Sequence, residues 1–158
     1  MGTQRLKLKY MSTYTQILYQ LVFSTKYRNP TLLKEHRREL YGYIYGILKN
    51  KNCFVYQIGG VEDHIHIVFE LHPSVALSDL VKDIKLGAIG FIKEQMLFPD
   101  FKGWQDGYGA FTYSAEAKKN LIAYVKNQEA HHQKQSSLEE IKQLLKEFEI
   151  PYDDKYLI

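Results

Sequence analysis

The order of elements read from this chain is that of an α+β fold built on one antiparallel sheet. Three observations carry that reading. A β-rich run at 14–24 is followed by a helix-periodic stretch; two β-branched runs, 53–61 and 64–71, are separated only by Glu62-Asp63; a second helical stretch then leads into a glycine-punctuated strand. Strand, helix, strand, strand, helix, strand is the split βαβ, ferredoxin-like pattern that RNA-recognition motifs share. Such a sheet carries its two crossover helices on one face and leaves the other free.

Each element has a local cause. Tyr14 to Ser24 is rich in β-formers, and Lys26-Tyr27-Arg28-Asn29-Pro30 breaks it. From Leu32 to Lys49 the spacing of Leu33, Leu40, Ile44, Ile47 and Leu48 is helical, and Asn50 and Asn52 close the segment. Cys53–Val61 and His64–Leu71 form a hairpin. In the second of these strands Ile65, Ile67, Phe69 and Leu71 share the core side, while His64, His66, Val68 and Glu70 share the other, because strand side chains alternate. Ser78 and Asp79 open a helix reaching Met96, with Leu80, Ile84, Ala88, Phe91 and Ile92 on one stripe, and Pro99 ends the segment. Residues 103–113 read as a bend with one or two short strands. Ser114 caps a helix from about Ala115 to His132. Ser136-Ser137 caps a last one, with Glu139 and Glu140 in its first turn, where they complement the helix dipole.

The chain has 158 residues, enough for one domain with a substantial core. Residues 1–11 read as a leader and 12–158 as a single domain. A net charge of +3 is compatible with nucleic acid without demanding it. Cys53 is the only cysteine, so an internal disulfide or a cysteine-cluster metal site is excluded, and a buried structural thiol is expected. No apolar run approaches the roughly 20 residues of a membrane span, and the start is no secretion signal, so a cytoplasmic protein is expected.

The chemistry concentrates in two distant patches. His64 and His66, at i and i+2 on a strand, look toward the face that the packing helices leave free. Tyr124 and Gln128, at i and i+4 on a helix, share one face. A helix laid on that free face would bring two imidazoles, an amide oxygen and a phenol around one point. That is a plausible arrangement for a metal site with a nucleophile beside it. His131 and His132 are rival ligands, although adjacent residues on a regular helix point about 100° apart. His36 and His72 read as bystanders.

Three segments resemble the single-tyrosine HUH transposases of the insertion-sequence 200/605 type: Asp63-His64-Ile65-His66-Ile67, Trp104 to Phe111, and Tyr124 to His132. The opening Leu21–Arg28 and the tail Ile150–Leu157 are similar as well, so the resemblance spans nearly all of 12–158. It implies that His64, His66 and Gln128 hold a divalent metal, Mg²⁺ or Mn²⁺, and that Tyr124 is the nucleophile. It further implies cleavage and rejoining of single-stranded DNA at hairpin-marked ends through a 5′-phosphotyrosine. A homodimer with composite active sites, in a bacterial or archaeal cytoplasm at the nucleoid, completes the expectation. Lys26, Arg28, Lys82, Lys85, Lys118, Lys119 and Lys126 are then candidate phosphate contacts. Tyr27, Trp104 and Tyr108 are candidate stacking partners. Competing readings are a non-catalytic nucleic-acid-binding module of the same fold, a water-using metal hydrolase, and a domesticated relative that processes repeated palindromes.

Overall fold

The structure, a computed structural model, describes residues 13–157. The leader reading of residues 1–11 lies outside these. Strand β1 (Leu18–Ser24) is followed by helix α1 (Lys34–Asn50), the hairpin β2 (Phe54–Gly60) and β3 (His64–Glu70), helix α2 (Leu77–Gln95) and strand β4 (Gly109–Tyr113). Three further helices follow: α3 (Lys118–Lys126), α4 (Gln128–His132) and α5 (Ser137–Glu147). The sheet order is β2-β3-β1-β4, and every pairing is antiparallel. This is the split βαβ arrangement expected from the element order.

Alternation along β3 sorts the two faces. Ile65, Ile67 and Phe69 join Leu21 and Phe23 of β1 against Leu40, Ile44 and Leu48 of α1 and Leu80, Ile84 and Ala88 of α2, forming the main core. Burying such aliphatic and aromatic side chains contributes roughly 1.5–3 kcal/mol each. On the opposite face, Leu18 and Val68 pack against Leu121 and Val125 of α3. Val22 and Phe111 pack against Ile141, Leu144 and Leu145 of α5. The second face is therefore covered too, by the tyrosine helix and the C-terminal helix side by side. Gly59 makes the first docking possible: a Cβ there would lie 2.2 Å from the carbonyl oxygen of Val125.

Several boundaries differ from expectation. Leu33 is exposed and precedes α1 instead of joining its apolar stripe, while Leu32 is the buried residue. The helix expected over 115–132 is interrupted. A 3₁₀ turn at Ala115–Ala117 precedes α3, and Asn127 (φ −99°, ψ 23°) separates α3 from α4. Ser114 makes no capping bond, whereas Ser136 accepts one from the Glu139 amide. Cys53 is buried as expected.

Candidate metal and nucleophile site

His64 and His66 stand side by side on the face covered by α3 and α5, with ring centroids 4.9 Å apart. Each is held from behind through Nδ1. Asp63 Oδ1 lies 2.7 Å from His64 Nδ1, and the Ser137 hydroxyl at the start of α5 donates to both Asp63 oxygens. His66 Nδ1 lies 2.6 Å from Gln20 Oε1, and the Gln20 amide donates in turn to the Tyr113 hydroxyl at 2.7 Å. Partners of this kind set the tautomer so that both Nε2 atoms point inward, as ligating histidines require.

The inward atoms meet a side chain that sequence reasoning had assigned elsewhere. Glu140, whose place in the first helical turn complements the dipole, is only 3% exposed and turns into the histidine cluster. Its Oε1 lies 3.1 Å from His64 Nε2, 2.9 Å from His66 Nε2 and 3.1 Å from His132 Nε2. Its Oε2 accepts hydrogen bonds from the Gln128 amide at 3.1 Å and from the Tyr124 hydroxyl. Gln128 Oε1 faces His64 Nε2 at 3.2 Å, and the Tyr124 ring stands 6.0 Å from that of His66. The four residues singled out in the sequence, His64, His66, Tyr124 and Gln128, are thus together within one chain. His131 and His132 both lie in α4, beyond the break at Asn127, and they approach different oxygens of Glu140. His131 Nε2 comes within 3.4 Å of Glu140 Oε2, so both neighbouring histidines reach the same carboxylate.

Burial and charge act against each other here. Burial alone would lower His64, but Asp63 and Glu140 outweigh it and push its pKa up to about 9. Fully buried His66 goes the other way, down to about 4, since burial outweighs Glu140 and the neighbouring His64 adds repulsion. Burial would raise Glu140, yet its contacts with His132, His64 and His66 hold it well below the usual carboxylate range. The Tyr124 phenol is pushed above its ordinary value by burial and by Glu140. A buried anion ringed by imidazoles is a donor set suited to a cation. One ligand atom each from His64, His66, His132 and Glu140 lies within 4.8 Å of the others, so these residues could hold a metal ion. A cavity of about 350 Å³ opens beside them, lined in part by Tyr124, Glu140, Gln20 and Tyr113.

The candidate DNA contacts separate into two groups. Lys26, Tyr27, Lys82, Lys119 and Lys126 are exposed, with Lys82 on α2, across the sheet from the histidines. Lys118 is half-buried with its ammonium 4.9 Å from the Tyr56 ring. Arg28 is half-buried, and its Nη2 has no hydrogen-bond partner among the described residues. Lys85 donates to the carbonyls of Gln105 and Gly107, tying down the glycine-rich bend. Trp104 is buried against Phe23 and Phe101 and donates to the Lys85 carbonyl, so it is core and offers no stacking face. Tyr108 is half-buried against the same core. His36 pairs with Glu39, and His72 pairs with the hydroxyl and backbone amide of Ser74.

A tyrosine, a pair of strand histidines and an amide on the sheet face opposite the main core define a class, and comparison identifies it. The family described as "Transposase IS200 like" matches residues 13–128, and the chain belongs to that family. It is 27% identical over 115 residues to the transposase for insertion sequence element IS200 of Salmonella typhimurium, covering 70% of this chain and 75% of that one. It is 26% identical over 119 residues to the ISDra2 transposase TnpA of Deinococcus radiodurans, covering 72% and 84%. In fold it is similar to a REP-associated tyrosine transposase solved bound to a REP hairpin. The TM-score is 0.57 at 14% identity, over 77% of this chain and 74% of that one. The matched family region holds His64, His66, Tyr124 and Gln128; His132 and Glu140 lie beyond it. Sequence reasoning missed Glu140, Gln20 and Asp63. For Asp63 a signal existed, a carboxylate directly preceding a candidate ligand.

Proposed function

We propose that this transposase cleaves and rejoins single-stranded DNA at hairpin-marked ends, with Tyr124 as nucleophile and a divalent metal held by His64, His66 and Gln128. The observation that carries this reading is the convergence of Tyr124 with two histidines whose Nε2 atoms are both oriented inward. The phenolic oxygen forms a bond to phosphorus as the P–O3′ bond breaks. The phenolic proton passes, in net terms, to the released 3′-hydroxyl, and the strand is kept as a 5′-phosphotyrosine. Retaining the ester allows rejoining without ATP. A cation at this centre supplies Lewis acidity toward the scissile phosphate. His132 and Glu140 are placed to join its ligands, and this imidazole-rich set favours Mn²⁺ over Mg²⁺.

Glu140 has a second task. By accepting the Tyr124 hydrogen bond it holds the phenol protonated beside the cluster. The resemblance implies a homodimer whose tyrosine helices are exchanged; the single chain supports a site completed by its own helix. Mixing Tyr124→Phe chains with His64→Ala chains separates the two, since only an exchanged helix restores cleavage. DNA hairpins as partners fit the relative solved with one. Among the described residues no helix is long and apolar enough to cross a membrane, and we assign the work to the bacterial or archaeal cytoplasm, at the nucleoid. The deciding test is a covalent protein–DNA adduct, formed with single-stranded hairpin DNA and Mn²⁺ and mapped by mass spectrometry to the Tyr124 peptide. Cleavage without an adduct would favour the water-using hydrolase.

A further inference from the structure

A second polar site lies away from the histidine face, where α1 meets the edge strand β2 and the break between α3 and α4. A cavity of about 570 Å³ there is lined by Lys34, Arg37, Arg38, Tyr41, Lys126 and Glu129, among others. Lys34 and Arg37 bind the two oxygens of Glu129, at 3.2 and 3.3 Å, so the single carboxylate is already engaged. Donors remain in surplus. Arg37 is 7% exposed, and its Nη1 has no hydrogen-bond partner among the described residues; the buried Tyr41 hydroxyl has none either. Burial pushes the Tyr41 pKa up to about 12, which keeps this group a neutral donor. Buried polar atoms are seldom left unpaired, and two such donors at one cavity call for an acceptor.

The chemistry of that acceptor follows from the lining. A guanidinium fork with a free nitrogen, flanked by further cations, matches the oxygens of a phosphate. Position narrows it further. An adjoining cavity of about 280 Å³ shares Lys34, Arg37 and Glu129 with the first and reaches His132 in the cluster. A phosphate at Arg37 would therefore sit next to a cavity that borders the cluster at His132, with Glu62 and Glu129 also in its lining.

We propose that Arg37, framed by Lys34, Arg38 and Lys126, binds an uncut phosphodiester of the same DNA strand and so positions the strand for cleavage. This rests on the reading of the chain as a single-strand DNA enzyme, and its test is chosen to fail separately. Binding of a labelled oligothymidylate and of its uncharged methylphosphonate analogue is measured by anisotropy across a salt series, for wild type and Arg37→Gln. Arg37→Gln should weaken oligothymidylate binding roughly tenfold and flatten the slope of log K against log salt by about 0.7. On the analogue the two proteins should bind alike. Lys126→Gln, on an exposed side chain, should flatten the slope in the same sense, so the result does not hang on one buried residue. Equal binding of oligothymidylate by both proteins, or equal losses on both oligonucleotides, overturns the pocket alone. A wild type that binds no oligothymidylate overturns the underlying reading as well. If millimolar inorganic phosphate raises the melting temperature of wild type but not of Arg37→Gln, while oligothymidylate binding is unaffected by the substitution, the pocket serves free phosphate and the strand contact falls.

Discussion

The two faces of the sheet obey different rules although the same strands build both. Toward α1 and α2, β3 presents Ile65, Ile67 and Phe69 to a continuous apolar core. Toward α3 and α5 the same strand presents His64 and His66 to a buried network ending in one carboxylate. Contacts on the first face are non-directional and tolerate exchange of similar volumes. On the second face each polar atom needs a particular partner, and removing one leaves another buried and unpaired. The first face is apolar throughout, whereas the second combines apolar packing of α3 and α5 with a polar cluster held in place by hydrogen bonds.

The largest expected effect breaks the comparison at the nucleophile. Tyr124→Phe removes one hydroxyl and its bond to the Glu140 carboxylate, at a cost of about 1.5–3 kcal/mol in stability, and abolishes cleavage and the covalent adduct. Denaturation with a cleavage assay checks both, and cleavage that persists, or an adduct on another tyrosine, sinks the assignment. Next comes a matched pair on adjacent residues. His66→Ala should eliminate calorimetrically detectable Mn²⁺ binding while the fold survives. Ile67→Ala, facing the opposite way, should cost about 2–5 kcal/mol of stability and leave Mn²⁺ affinity unchanged in the folded protein. If both variants behaved alike, the division of labour between the faces would be wrong.

A smaller effect probes what lies behind the histidines. Asp63→Asn keeps the shape of the group that orients His64 but removes its charge, and should lower Mn²⁺ affinity about 10–100-fold. Gln20→Ala should act similarly through His66, with the Tyr113 hydroxyl losing its donor. Unchanged affinity in both would mean that the imidazoles hold their orientation without these partners.

The unequal legibility of the two faces has the same physical origin. Period-two alternation in β3 and helical spacing in α1 and α2 revealed the core face, because apolar burial leaves a periodic trace. His64, His66, Tyr124 and Gln128 are readable as a constellation from strand and helix spacing, and the resemblance to a known family raises that pattern above its ordinary structural explanation. Glu140 left no such trace. A glutamate in the first turn of a helix has an adequate surface explanation, and only the docking of α5, through Ile141, Leu144 and Leu145 onto Val22 and Phe111, turns it inward. Trp104 erred in the other direction. An aromatic beside glycines suggests a stacking platform, but packing against Phe23 and Phe101 places it in the core.

The finest distinction concerns the ligand after the two strand histidines. Gln128 offers a neutral amide oxygen 3.2 Å from His64 Nε2, and its amide nitrogen also bonds Glu140. His132 offers an imidazole nitrogen 3.1 Å from the carboxylate oxygen shared with His64 and His66. A water can replace an amide ligand with little loss, whereas an imidazole is a stronger donor to Mn²⁺. Gln128→Ala should therefore reduce Mn²⁺ affinity only a few-fold, and His132→Ala by roughly tenfold or more, by analogy with losses at supporting groups around metals. Calorimetry on both, with Glu140→Gln alongside, ranks the donors. A greater loss in Gln128→Ala than in His132→Ala would remove His132 from the ligands and leave Gln128 as the third. Equal affinity in wild type and Glu140→Gln would leave Glu140 as a partner of Tyr124 and no ligand.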